Sequence, residues 1–272
     1  MQQPASNPAD EGRGLIIFLR GSWMHSSAWS SWRVLFDRNG YDSAIAPWPG
    51  EKDTVAACRS AWEDASRKTL RALVDSAEAR LADARPMPIL IGHGLGSVIA
   101  QVLIARRRLA AGAIALAPPA AGWASRSALL RLTATRASLG ASAFTSSRLP
   151  TFAAFARTYA NTISRGEAAD LYARFVIPGS IRPLLRASWM VRAPGTAAVD
   201  SERPPLLLLS GGKDRLCPES TTRAWERFGR RRYPDGVTDH HVFSDRGHSL
   251  TVDAGWEHIG NFCLDWLTDH NL

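Results

Sequence analysis

The segment Ile91-Gly92-His93-Gly94-Leu95-Gly96-Ser97 joins an apolar run, Pro88-Ile-Leu-Ile-Gly92, to a stretch of helical spacing over 98–109. A glycine-flanked turn between strand and helix is how a nucleophile is presented to a substrate. The outer glycines let strand and helix approach without collision, and the residue at the tip sits in a strained conformation pointing into the site. Here the tip is Gly94, which has no side-chain atom able to form a covalent intermediate. Ser97 lies one helical turn further on and should face away from the tip, so it is no substitute.

Two further residues fit the same chemistry. Asp214, in Ser210-Gly-Gly-Lys-Asp214, follows the apolar run Leu206–Leu209, and His248, in Asp245-Arg-Gly-His248, follows a strand-like run over 240–243. Both should therefore lie at one edge of a sheet, where open α/β sheets bind ligands. A histidine oriented by a carboxylate is a general acid/base pair. Each has a plainer reading. Asp214 could cap the helix starting at Pro218, and His248 could be an ordinary loop histidine. Glycine-rich strand-to-helix turns also hold phosphates. This one lacks a P-loop lysine, and no GxGxxG follows the first strand. His93, His240 and His241 read as structural, and Cys217 as loop or core.

The elements needed to position these residues alternate. Strands are expected at 15–19, 41–46, 88–92, 113–117, 206–209 and 240–243, and helices at 29–38, 54–84 (one long helix), 98–109, 218–228 and 252–267. That rhythm predicts a mostly parallel sheet with helices on both faces. It breaks between residues 120 and 199, where helical patches at 128–134, 151–163, 166–175 and 182–190 suggest a helical insertion. The core is then 14–119 and 200–272, and residues 1–13 read as a loose polar tail.

Composition bounds the rest. Net charge is +8, yet lysine occurs only at positions 52, 68 and 213, and the arginines are scattered apart from runs at 106–108 and 230–232. Both runs fall where helices should end, where cations suit the helix dipole, so nucleic-acid binding is not expected. No apolar run approaches the roughly 20 residues a membrane helix needs, and the N-terminal residues lack the pattern of a signal peptide. Cys58, Cys217 and Cys263 have neither CxxC nor zinc-ligand spacing; a reduced, cytoplasmic setting is expected, with no metal or cofactor.

On the turn at Gly92–Gly96 and the Asp214-then-His248 order, the chain resembles the α/β-hydrolase superfamily, particularly its compact bacterial esterase-like members, over residues 14–270. Leu19-Arg20-Gly21-Ser22-Trp23 is similar to the loop that supplies half of that family's oxyanion hole, with Arg20 at the usual histidine. The resemblance implies Gly94 at the nucleophile position, His248 as base, Asp214 as its orienting acid, the N–H groups of Ser22 and Leu95 as oxyanion donors, and the 120–199 insertion as a cap over the site. Arg20, Trp23 and His25 would be candidates for substrate contact, although Arg20 could simply pair with a carboxylate. The expected ligand is a small apolar carbonyl compound.

Three readings follow. The chain could be an ester, thioester or lactone hydrolase without its serine, by natural loss or deliberate replacement. It could be a lyase, isomerase, cyclase or direct-water hydrolase using His248 as general base. It could also be a ligand-binding pseudoenzyme.

Overall fold

The computed structural model describes residues 13–61, 69–107, 109–119, 149–179 and 203–272. Among them six parallel strands form one sheet in the order β2-β1-β3-β4-β5-β6. The strands are β1 (Leu15–Leu19), β2 (Asp42–Ala46), β3 (Ile89–His93), β4 (Gly112–Leu116), β5 (Leu206–Gly211) and β6 (Thr238–Phe243). All six expected strands form, β1 as expected and the others with ends within two residues of expectation. β3, β4 and β5 are buried throughout, which is why they read as unbroken apolar runs instead of alternating ones.

Because successive strand side chains point to opposite faces, each central strand feeds two cores. Leu90, Ala113, Ala115, Leu206 and Leu208 pack on one face with α3 (Leu70–Leu81), α4 (Leu95–Arg107) and Trp225 of α7 (Glu219–Arg232). Ile89, Ile91, Ile114, Leu116, Leu207 and Leu209 pack on the other with α1 (Ser30–Arg38) and α8 (Trp256–Asp269). Phe18, Trp29, Trp32 and Phe36 form an aromatic knot beneath that face, which accounts for part of the tryptophan content as core packing.

The expected single helix over 54–84 is not continuous. A short helix, α2 (Val55–Ser60), starts at the N-cap Thr54 and the backbone leaves helical geometry at Ala61. Helix α3 starts anew at Thr69, whose backbone is extended and whose hydroxyl accepts the N–H of Ala72. The threonine offers the first turn of a new helix a cap; the apolar stripe alone did not reveal it.

Between β4 and β5 the described residues contain α5 (Phe152–Thr158) and α6 (Arg165–Phe175), capped by Thr151 and Ser164. The expected patches at 128–134 and 182–190 lie outside the described residues, as does most of the N-terminal tail. Arg13, at that tail's end, already donates its N–H to Gly40 O. No helix among the described residues is long and apolar enough to cross a membrane.

Candidate active site

The C-terminal ends of β1, β3, β5 and β6 lie at one edge, since the strands run parallel. Their following loops carry Arg20–His25, Gly94, Asp214 and His248.

Gly94 occupies the sharp turn from β3 into α4 with φ +55°, in the left-handed region that favours glycine. Its neighbours are fixed by close approach. A β-carbon on Gly92 would strike the backbone of Gly96 and Ser97, and one on Gly96 would strike the backbone of Leu19 and Arg20. At Gly94 the situation is opposite. Among the described residues, a β-carbon there would meet only Gly21 Cα and His248 Nε2, each at 3.8 Å, which is ordinary contact. Ser97 turns back, as expected, and its hydroxyl donates to Gly94 O at 2.5 Å.

Asp214 and His248 meet. Nδ1–H of His248 donates to Asp214 Oδ2 at 2.7 Å, and both residues are buried. The other carboxylate oxygen accepts the N–H groups of Leu216 and Cys217, each at 2.8 Å. One oxygen thus fixes the carboxylate and the other fixes the imidazole. With the proton on Nδ1, the Nε2 lone pair is the free one, and it faces Gly94. The helix-cap reading of Asp214 fails, because the N-cap of α7 is Pro218 and carries no side-chain cap.

Asp214, Cys217 and His248 also bring a carboxylate oxygen, a thiol and an imidazole nitrogen within 4.8 Å of one another. Three of the carboxylate's roughly four acceptor sites already hold hydrogen bonds. Burial, reinforced by the Asp214 charge, pushes the Cys217 thiol well up. It is a protonated core thiol, neither a ready ligand nor a nucleophile.

His93 supports this pair from below. Its Nε2–H donates to His248 O at 3.1 Å, and its ring lies 4.6 Å from that of His248. Burial first, then the neighbouring His248, holds its pKa well below the usual histidine value, so it is a neutral structural donor. Asp253, which sequence patterning did not single out, organises the same loop by accepting from Ser249 Oγ, Gly255 N–H and Arg246 Nη1.

Arg20 and His25 both have partners within the protein. Arg20 is buried and its Nε donates to Glu51 Oε2 at 2.5 Å, while its guanidinium stacks 3.9 Å above the Trp48 ring. Its Nη1 donates to the carbonyls of Gly21, Ser22 and Met24 at 2.8, 3.5 and 3.2 Å. Burial alone would raise the Glu51 carboxyl, but the Arg20 charge and hydrogen bonds from Ser26 and Arg20 outweigh it and hold it below its usual value. His25 is also fully engaged, with Nδ1 accepting from Ser27 N–H and Nε2 donating to Lys52 O. Trp23 is half-buried, and its carbonyl accepts from Ile177 N–H.

The gathered carbonyls set the direction of the loop. In a trans peptide the C=O and the following N–H point oppositely, so Gly21 O bound to Arg20 turns the Ser22 N–H the other way. Gly21 Cα lies beside the Gly94 tip. Leu95 opens α4, and the first N–H groups of a helix have no intrahelical acceptor. Glu51 was the residue missed: it comes from the β2–α2 loop, and nothing local marks it as the partner of Arg20.

A family model for the alpha/beta hydrolase family matches residues 16–256. No curated protein matches the chain significantly. Among solved structures, it is similar to an extracellular α/β-hydrolase from a Paenibacillus species, with 15% identity, TM-score 0.62 and coverage of 92% of this chain and 98% of that one. A methylesterase from Arabidopsis gives 14% identity and TM-score 0.60, covering 93% and 98%. A monoacylglycerol lipase from Paleococcus ferrophilus gives 18% identity and TM-score 0.59, covering 95% of each chain. With the sheet order, the edge that gathers the site and a family match across most of its length, this chain belongs to the alpha/beta hydrolase family.

Proposed function

We propose that the chain carries the base, acid and oxyanion parts of a carboxylic-ester-type hydrolase site, built around a glycine at the nucleophile position. The observation that carries this is the 3.8 Å between a Gly94 β-carbon and His248 Nε2. A hydroxyl one bond beyond that carbon could come within the roughly 2.6–3.2 Å that a nucleophile–base pair needs. The Ser22 and Leu95 N–H groups would hold the developing oxyanion, and the 120–199 segment would cap the site and admit a small apolar ester, thioester or lactone. The test is hydrolysis of a short-chain aryl ester by the chain and by its Gly94→Ser variant. Turnover with an initial burst in the variant alone supports the reading, and no turnover in a folded variant refutes it.

A second reading rests on the intact His248–Asp214 pair. A base whose lone pair faces the tip needs no serine to deprotonate a bound water or a carbon acid. Activity of the unaltered chain that disappears in His248→Ala would favour this direct route; none across ester and carbon-acid substrates would count against it.

A further inference from the structure

We propose that the segment Tyr159–Thr162, which follows α5, is a positioning clamp that holds the loops of Asp214 and His248 in mutual register. Tyr159 packs its ring against the His248 imidazole, with centroids 4.8 Å apart and planes at 78°. The tyrosine is itself seated by Phe155, stacked at 5.0 Å and 17°, and by the edge of His93. Two residues on, Asn161 Nδ2 donates to Lys213 O at 2.9 Å, immediately before Asp214. Thr162 Oγ1 accepts the N–H of Gly247 at 3.1 Å, immediately before His248. Arg215 closes the contact by donating to Arg157 O. One four-residue stretch thus touches the residue preceding the acid, the residue preceding the base, and the base's ring.

The fit is close. A β-carbon on Gly247 would stand 2.8 Å from Thr162 Oγ1 and 2.9 Å from Asn161 Oδ1. The two loops also meet directly through Lys213 N–H and Arg246 O. That bond leaves the imidazole plane unrestrained, and the aromatic contact restrains it. A side chain locked by packing keeps its hydrogen-bond geometry without paying rotamer entropy at each encounter. Tyr159 is therefore a positioning residue acting through His248.

The inference rests on the same His248–Asp214 pair as the proposed function, but its test needs no turnover, so failure to hydrolyse esters leaves it standing. The readout is the downfield Nδ1–H proton resonance of His248 in the full chain, assigned by its loss in His248→Gln. Tyr159→Phe should keep the resonance. Tyr159→Leu, and separately Asn161→Ala combined with Thr162→Val, should broaden it beyond detection while circular dichroism shows a folded protein. If Tyr159→Leu does not fold, the double variant decides. A sharp resonance in the folded variants, equal loss in Tyr159→Phe, or no resonance in the parent would overturn the clamp.

Discussion

Gly94 and His248 face each other across the space of one small side chain: a β-carbon on the glycine would lie 3.8 Å from the imidazole Nε2 and, among the described residues, touch otherwise only Gly21. Among the described residues, the turn therefore leaves room for one small side chain beside the imidazole.

That shape separates the three glycines of the turn by their tolerance of a methyl group. Gly94→Ala meets no clash among the described residues and bears only the left-handed backbone, about 1–2 kcal/mol for a residue with a β-carbon. Gly96→Ala drives the same atom into the backbone of β1 and its following residue, where neither side can give. Its cost should exceed about 3 kcal/mol, beyond most single substitutions. Urea unfolding of the two variants checks the ordering, and equal costs would contradict the turn geometry.

Arg20 and Glu51 form a buried ion pair beneath the loop that crosses the tip. Removing one partner strands the other charge, which typically costs about 3–5 kcal/mol. Glu51→Ala should therefore unfold at markedly lower denaturant than Arg20→Met combined with Glu51→Leu. A double variant no better than the single would show that the pair is not what holds the loop.

Arg20 also orients the Ser22 N–H through Gly21 O. In the Gly94→Ser background, Arg20→Lys keeps the charge but loses the planar fork that holds Glu51 through Nε and the loop carbonyls through Nη1 at once. Misaiming this proposed oxyanion donor should lower kcat by about tenfold, less than the 100-fold or more of outright loss, with KM little changed. Steady-state kinetics on an aryl ester separate the two constants, and a rise in KM alone would instead point to substrate contact.

His93 and Glu51 both give stability an acid limb. Each has a folded-state pKa below its ordinary value, 6.5 for the imidazole and 4.5 for the carboxyl. The unfolded chain therefore binds the proton more readily, and stability is full above those values and falls as pH drops towards the folded ones. The His93 contribution should fade from about pH 6.5 downward and that of Glu51 from about 4.5. Thermal melts of His93→Gln across pH 4 to 8, on the order of the range set by these ordinary values, should show a weaker upper limb, part of which remains with His240 and His241, whose values burial also lowers. An unchanged profile would mean that His93 takes up its proton in the fold.

The central strands β3, β4 and β5 were legible because burial on both faces leaves continuous apolar runs, and Asp214 and His248 because each follows a strand that ends at the same edge. The break between α2 and α3 was hidden, since the stripe of Leu70, Leu73, Val74, Ala77 and Leu81 reads as helix whether or not Thr69 begins it. Arg20 and His25 could not be placed from spacing. Their partners Glu51 and Lys52 arrive from another loop, and only folding brings them together. The clamp at Tyr159–Thr162 was equally invisible, because its contacts join α5 to loops more than 50 residues away.

The most direct test of the central claim is the intact mass of the Gly94→Ser protein after exposure to an aryl phosphonate ester, beside the unaltered chain. The account predicts one phosphonyl adduct, mapped to position 94, formed only in the variant and suppressed by adding His248→Gln. A folded variant that stays unmodified, or an adduct elsewhere in both proteins, would contradict it.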